Sequence, residues 1–248
     1  MSRTIEDLLP ADLTPAGLEA LREGEPFRSR KNRVFRIRLE GRLAVAKIYA
    51  PERVKLAESE YHILDKCHRE EGRAPRPLAV GNGTIVMEYV DGENLSEKFD
   101  RLWRDDDGSK NSLELRRLVT DGLAEWLAQF HRIFGLREAR GDTILRNFIV
   151  SESQIYGLDF EEAMERDPLS DLGEACANML SMHPMFTPGK LVLARELAER
   201  YWHHSGTDRS AELQEAIAVA LEHYSSFRAD GDSMRTWARK IRIDGLSK

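Results

Sequence analysis

The segment from residue 140 to residue 163 constrains this chain more than any other. It reads Arg-Gly-Asp-Thr-Ile-Leu-Arg-Asn-Phe-Ile-Val, then a short polar turn, then Ile-Tyr-Gly-Leu-Asp-Phe-Glu-Glu-Ala. Two short apolar runs flank the turn, a pattern that predicts a β-hairpin. Asp142 and Asn147 lie five residues apart in the loop before the hairpin, and Asp159 follows its second strand. The hairpin would therefore bring three polar side chains to one edge.

Two carboxylates and an amide at one edge suit phosphoryl transfer. One carboxylate receives or orients the attacking hydroxyl, while an asparagine oxygen and the second carboxylate hold Mg²⁺ against the phosphates of ATP. The alternative is a surface hairpin with Asx turns, which uses the same residue types. The Asp-Phe pair at the end of the second strand favours phosphoryl transfer.

Length and composition limit the class of protein. With 248 residues the chain can form one large domain or two small lobes, and its 41% hydrophobic content predicts a globular protein. A net charge of −6 argues against nucleic acid as the main partner. Cys67 and Cys176 show no metal-type spacing and no disulfide framework, so we expect a reducing compartment. The sequence has no apolar run of membrane-spanning length and no signal-peptide core, which predicts a cytoplasmic protein.

The N-terminal third shows a β pattern around a lysine. Apolar and charged residues alternate from Phe35 to Leu39, a turn follows, and residues 43–49 form an apolar run that contains Lys47. The lysine stem can pack in the strand while its amine reaches solvent. Alternatively, its amine binds the α- and β-phosphates of ATP.

A lysine in that second role needs a carboxylate partner. Residues 52–67 follow a proline and have apolar residues at helical spacing, so they predict a helix. Glu60 falls on its inward face, whereas Glu58 does not. An inward glutamate costs free energy unless it is paired, and we therefore expect Glu60 to pair with Lys47.

Other segments complete the outline. Thr14-Pro15 predicts the start of a short helix that ends near Arg22, and residues 115–134 predict a long amphipathic helix. Residues 96–112 are polar, which indicates a solvated insertion or an acidic wall for a cationic acceptor. The basic C-terminal segment predicts a packed helix with one solvated face, or alternatively a surface for RNA or a partner.

In this order and spacing, these features resemble the protein-kinase-like superfamily. Val-Ala-Lys-Ile (45–48) is similar to its lysine strand, Met-Glu-Tyr-Val (87–90) to its hinge, and Asp-x4-Asn with the following Asp-Phe to its catalytic core. The resemblance implies an α+β, bilobal protein-kinase-like fold. Its lobes would be a β-rich N-lobe over residues 1–90 and a mainly helical C-lobe over residues 91–248.

The resemblance also implies catalytic roles. Asp142 would orient the nucleophile, and Asn147 and Asp159 would bind Mg²⁺, with Mn²⁺ as an alternative metal. Lys47, placed by Glu60, would hold the phosphates of ATP. Most of the rate would come from positioning and charge neutralisation.

The nucleotide contacts follow in the same way. The resemblance implies that the Glu88 carbonyl and the Val90 amide face adenine, with Met87 as the gatekeeper. The loop over residues 28–33 has no glycine and is more similar to the Ser-x-x-Asn variant of small-molecule kinases, which places Asn32 at the nucleotide. Its basic cluster could favour phosphate electrostatically, or it could be a solvated strand end.

Several departures indicate a small atypical kinase. Arg140 stands where the superfamily has histidine, Gly141 where protein kinases have arginine, and Glu161 where they have glycine. Only nine residues separate Glu161 from Asp171, too few for an activation segment. Asp171 is similar to an aspartate that braces the catalytic loop in phosphotransferases, and it can also cap a helix. The chain most resembles aminoglycoside phosphotransferase-like, lipopolysaccharide-kinase-like or RIO-like kinases.

We therefore predict an ATP-dependent phosphotransferase that moves the γ-phosphoryl group to a hydroxyl acceptor. The acceptor would be a small molecule or a protein serine or threonine. Residues 178–184 are distantly similar to the kinase subunit of the KEOPS complex. The alternative is consequently a pseudokinase or an ATPase-like subunit of a larger assembly, which would have a protein partner.

Overall fold

The computed structural model describes residues 20–246 apart from 22, 28, 30 and 104–109. The predicted helix from Thr14 to Arg22, two arginines of the basic loop and the acidic stretch of the insertion therefore lie almost wholly outside the described residues. The chain divides into two compact units. The first comprises the residues up to Asp91 together with Asp159–Glu161, and the second comprises Gly92–Leu158 and the residues from Glu162 onward.

The described residues of the first unit form a five-stranded antiparallel sheet in the order β1-β2-β3-β5-β4. Leu39 pairs with Arg42 at the turn between β2 and β3, where Glu40 and Gly41 both have positive φ. The strands predicted around Phe35 and Lys47 are present. The bounds are β1 Glu25–Phe27, β2 Arg33–Leu39, β3 Arg42–Ile48, β4 Pro77–Gly81 and β5 Thr84–Glu88.

One long helix lies in the same unit. Helix α1 spans Lys55–Arg69 and buries Ala57, Glu60, Leu64 and Cys67, which share one face at three- and four-residue spacing. It begins three residues later than the pattern predicts, because Pro51–Arg53 forms a separate 3₁₀ turn after β3. The predicted inward orientation of Glu60 is confirmed.

The described residues of the second unit are mainly helical. A three-stranded sheet in the order β6-β8-β9 accompanies the helices, together with the ribbon β7-β10. The strand bounds are β6 Glu93–Asn94, β7 Glu138–Ala139, β8 Phe148–Ser151, β9 Gln154–Gly157 and β10 Met164–Glu165. The helix bounds are α2 Leu95–Leu102, α3 Lys110–Arg117, α4 Ala124–Ile133, α5 Leu169–Ser181, α6 Pro188–Ser205, α7 Ser210–Ser225 and α8 Gly231–Asp244.

The predicted β8–β9 hairpin packs closely on helix α4. Phe148 pairs with Gly157, and a Cβ atom at Gly157 would come within 2.2 Å of the Trp126 ring. Glycine is therefore required at this position by close packing. The hairpin and the helix that supports it are thereby fixed against each other directly after the loop that carries Asp142 and Asn147.

The long helix predicted over residues 115–134 is not continuous. A π-helical segment, Leu118–Leu123, separates α3 from α4. The Thr120 hydroxyl donates to the Arg116 carbonyl at 2.9 Å, a back-bond that often bends helices. The apolar face predicted for residues 115–134 is nevertheless buried, as the low exposure of Leu115, Leu127 and Phe134 shows.

The C-terminal segment is a packed helix. Met234, Ala238 and Ile241 of α8 are buried, and Trp237 stacks on Phe186 at 4.8 Å between ring centroids. The packed alternative is therefore the one observed. None of the helices in the described part of the chain is long and apolar enough to cross a membrane.

Candidate active site

Lys47 is the centre of a buried charged cluster in the first unit. Its Nζ atom lies 2.8 Å from Glu60 Oε2 and 2.5 Å from Asp159 Oδ1, and the residue is 5% exposed. The Lys47 amine is therefore directed into the protein and not toward solvent. Tyr49 follows β3 directly, two residues after Lys47, and its hydroxyl donates to the same glutamate.

The charges of this cluster stabilise one another. Burial alone would lower the pKa of the Lys47 amine, but the negative charges of Glu60 and Asp159 outweigh burial and raise that pKa well above its ordinary value. Burial and the charge of Glu60 raise the pKa of the Tyr49 hydroxyl. Lys47 is therefore held as a cation, the form that binds phosphate.

Glu60 connects the lysine to the Asp-Phe pair. While Oε2 accepts from Lys47, Oε1 accepts from the backbone amide of Phe160 at 3.0 Å. Asp159 has a φ of +59°, in the left-handed region that aspartate tolerates better than most residues. Such conformations persist where the surroundings over-determine them, and they are concentrated at functional sites. Glu60 thus fixes both the amine and the backbone beside Asp159.

Residues 140–147, which we call the catalytic-type loop, belong to the second unit and carry Asp142 and Asn147. Arg140, which is fully buried, holds this loop in place. Its guanidinium donates to the carbonyls of Gly141 at 3.0 Å, Asp142 at 2.7 Å and Leu158. Gly141 has a φ of +65°, and a Cβ atom there would lie 2.6 Å from the Glu162 carbonyl oxygen. Arginine therefore fastens the loop to the end of β9, and glycine allows the close approach.

Asp171 on α5 supports the same loop. It accepts from the backbone amides of Arg140 at 2.6 Å and Gly141 at 3.1 Å, and from the Thr143 hydroxyl at 2.9 Å. His131 Nε2 lies 2.9 Å from its second oxygen. Burial raises the pKa of the Asp171 carboxyl, but the bonds from His131 and from the loop outweigh it, and the net pKa is lowered. The structure thus shows the bracing contacts that the resemblance implied.

Helix α5 contributes two further side chains that the sequence analysis missed. Glu174 accepts from the Thr143 amide at 2.7 Å, and Asn178 accepts from the Leu145 amide at 3.0 Å. Together with Asp171 they occupy one face of an otherwise buried helix, at spacings of three and four residues. That polar stripe is the sequence signal that could have identified them.

The structure brings Asn147 to Asp142. The amide nitrogen of Asn147 donates to the Asp142 carbonyl at 2.8 Å and to its carboxylate at 3.0 Å. Because both partners are acceptors, the nitrogen must face them, which leaves the amide oxygen for a metal ion. An amide oxygen and the carboxylate of Asp159 are oxygen ligands of the kind that Mg²⁺ prefers. Each of the two predicted metal residues therefore has the donor chemistry for a divalent ion, and their binding of one shared ion stays a prediction.

The predicted adenine contacts lie at the end of β5. Met87 is buried, and Glu88 pairs with Ala44 of β3 at the end of the ladder. Val90 follows two residues later, just before the boundary of the first unit. Their contacts with a base stay a prediction. Asn32 lies directly before β2, and its amide nitrogen donates to Glu161 at 2.5 Å.

The chain has the bilobal kinase-like fold, as its similarity to three solved structures shows. A Ralstonia eutropha protein designated a candidate aminoglycoside phosphotransferase is 13% identical, with 90% of this chain and 91% of that chain covered and a TM-score of 0.59. A choline/ethanolamine kinase family protein from Mesorhizobium loti is 16% identical, with 90% of each chain covered and a TM-score of 0.59. An amicoumacin kinase in complex with AMP-PNP and Ca²⁺ is 12% identical, with 96% and 91% covered and a TM-score of 0.59.

The sequence itself also matches a family. The phosphotransferase enzyme family matches residues 23–139, and no curated protein matches the chain. The match and the fold confirm the resemblance to the protein-kinase-like superfamily and the predicted class of enzyme, a kinase-type phosphotransferase. The acceptor, the metal and the roles of single residues stay predictions.

Proposed function

We propose that this chain transfers the γ-phosphoryl group of ATP to a hydroxyl acceptor. The observation that carries the proposal is the contact of the buried Lys47 amine with the buried Glu60 carboxylate and with Asp159, whose side chain is 40% exposed. A lysine that is held charged between two carboxylates is suited to bind phosphate oxygens when a nucleotide enters. The match of residues 23–139 to a phosphotransferase family supports the same reaction.

In this proposal each side chain has one role. Lys47 binds the phosphates and Glu60 positions it, while Asp142 receives or orients the acceptor hydroxyl. Asn147 and Asp159 hold Mg²⁺, or Mn²⁺ in its place, and the bound ion supplies charge neutralisation at the phosphates. At the base, the backbone of Glu88 and Val90 with Met87 would contact adenine, and Asn32 would contact the phosphates.

The acceptor is proposed to be a small molecule in the first instance. The segment after Asp159 is too short for the activation segment of a regulated protein kinase. The similar structures include a choline/ethanolamine kinase family protein and an amicoumacin kinase. A first acceptor panel would therefore contain amino alcohols and aminoglycoside-like compounds, and a second would contain peptides with serine and threonine.

The experiment measures thermal stability with and without ATP and Mg²⁺ on wild type and on Asp159→Asn. Asparagine tolerates the left-handed backbone at this position, so the fold should persist. A ligand at 100 times its dissociation constant adds about 2.7 kcal/mol to the free energy of unfolding, which corresponds to a shift of roughly 5–10 °C for a chain of this size. Asp65→Asn is the matched control, because Asp65 lies on α1 with 34% of its side chain exposed and pairs with Arg69 one turn away.

A shift that needs Mg²⁺, persists in Asp65→Asn and is lost in Asp159→Asn supports the nucleotide site. Release of ADP that depends on an acceptor then separates a transferase from an ATPase-like subunit. If wild type shows no shift at millimolar ATP, the chain is a pseudokinase and the proposal is wrong.

A further inference from the structure

The carboxylate of Glu161 is surrounded by cationic and amide donors. Its side chain is 3% exposed, and it accepts from Asn32 Nδ2 at 2.5 Å. An Arg53 guanidinium nitrogen lies 3.1 Å away, Lys47 Nζ lies 3.3 Å away and Lys31 Nζ lies 3.7 Å away. All five residues belong to the first unit. Four donors from three segments of the chain thus converge on one buried anion.

This arrangement has the chemistry of an anion subsite. Carboxylate and phosphate oxygens accept the same charge-assisted hydrogen bonds, and arginine recognises both through its planar fork. Two of the donors, Lys47 and Asn32, are the groups that the proposed function assigns to the phosphates of ATP. Glu161 therefore makes the contacts that a phosphate group would need.

Arg53 has no role in the proposed function and lies outside the basic loop over residues 28–33. It ends the 3₁₀ turn Pro51–Arg53, which only two residues separate from β3, the strand that carries Lys47. Its side chain is 21% exposed, which leaves it accessible from solvent while it contacts Glu161. Residues 28–33 contain no glycine that would let the backbone approach a phosphate closely. A cation at Arg53 can bind the phosphate instead.

We propose that Arg53 is a further phosphate-binding residue and that Glu161 competes with the phosphates of ATP for Arg53, Asn32 and Lys47. The proposal rests on the proposed function and adds an internal competitor to it. ATP binds when its phosphates replace the Glu161 carboxylate at these donors. Glu161 thereby weakens nucleotide binding, and Arg53 strengthens it.

A double-mutant cycle tests this proposal without knowledge of the acceptor. The dissociation constant of a fluorescent ATP analogue with Mg²⁺ is measured for wild type, Glu161→Gln, Arg53→Gln and the double variant. Glu161→Ala is a second variant at the same position, and Arg69→Gln is the control, because its side chain is 67% exposed and pairs with Asp65 one turn away. Thermal unfolding without nucleotide shows that each variant is folded.

The expected result has two parts. Glu161→Gln and Glu161→Ala bind the analogue several-fold more tightly than wild type, because a neutral or missing group competes less for the donors. In the Glu161→Gln background, Arg53→Gln weakens binding about tenfold or more, as expected for loss of a charge-assisted hydrogen bond. In wild type the same change costs less, because it also removes a partner of the competitor.

Three results would overturn the proposal. Weaker binding in both Glu161 variants would make Glu161 a metal or nucleotide ligand instead of a competitor. An Arg53→Gln effect that disappears in the Glu161→Gln background would mean that Arg53 only neutralises the buried carboxylate. Failure of wild type to bind the analogue at all would reject the proposed function itself, and the wild-type measurement alone reveals that case.

Discussion

Replacement of Arg140 by methionine gives the sharpest test of how the catalytic-type loop is held. Methionine keeps most of the volume of the buried side chain and removes every donor. The carbonyls of Gly141, Asp142 and Leu158 then lose their guanidinium partner. The contact of the guanidinium with the Phe148 ring, 5.1 Å from the centroid, is lost as well.

The size of the effect follows from these contacts. A hydrogen bond to a charged group contributes about 1.5–3 kcal/mol, and a buried group that loses its partner costs about 1–3 kcal/mol. Contacts to one side chain are not additive, so we expect a loss of about 3–5 kcal/mol in the free energy of unfolding. For a chain of this length that corresponds to a fall of roughly 10 °C in Tm.

The assay is thermal and urea unfolding of Arg140→Met, Arg140→His and Arg146→Met. Arg140→His introduces the residue that the superfamily resemblance leads one to expect. Its two ring nitrogens cannot bond to three carbonyls, so its loss of stability should lie between those of wild type and Arg140→Met. Arg146 has 62% of its side chain exposed, and its replacement should change stability by no more than about 0.5 kcal/mol. A loss below about 1 kcal/mol for Arg140→Met would refute the assignment of Arg140 as the brace of the loop.

Three further predictions concern buried groups of the second unit. Asp171→Asn should destabilise the fold at neutral pH. The pKa of the Asp171 carboxyl is lowered in the folded state, so the stability that the carboxylate contributes is present above its ordinary pKa of 3.8 and is lost as the pH falls through the folded-state pKa. In a pH series of unfolding midpoints, stability should therefore fall less steeply with acid in the variant than in wild type. Gly157→Ala should cost about 1–3 kcal/mol in urea unfolding, since its methyl group would overlap the Trp126 ring, and wild-type stability would disprove the packing. Lys190→Met should lose about 2–4 kcal/mol, because the buried amine donates to the Met182 carbonyl at 2.6 Å and to a second carbonyl, and an unchanged Tm would contradict this role.

Local periodicity was enough to predict much of the fold and part of the site. The apolar run over residues 43–49 placed Lys47 in a strand, and three- and four-residue spacing put Glu60 on the inward face of α1. Two apolar runs around a polar turn predicted the β8–β9 hairpin, with Asn147 just before its first strand and Asp159 just after its second. These features depend on neighbours within about ten residues, which the sequence presents directly.

The roles of Arg140, Arg53 and Glu161 were decided only by the tertiary structure. In the sequence, Arg140 appeared as a missing histidine and Glu161 as a missing glycine, whereas both are buried and make several polar contacts. Their partners lie far along the chain; Asn32 and Glu161 are separated by 129 positions. A periodic pattern shows which face of an element is inward, but it does not show which distant segment lies opposite. A buried charge is stable only with that partner, so the sequence determined which elements form, and the packing of remote segments determined which charges could be buried and what they can bind.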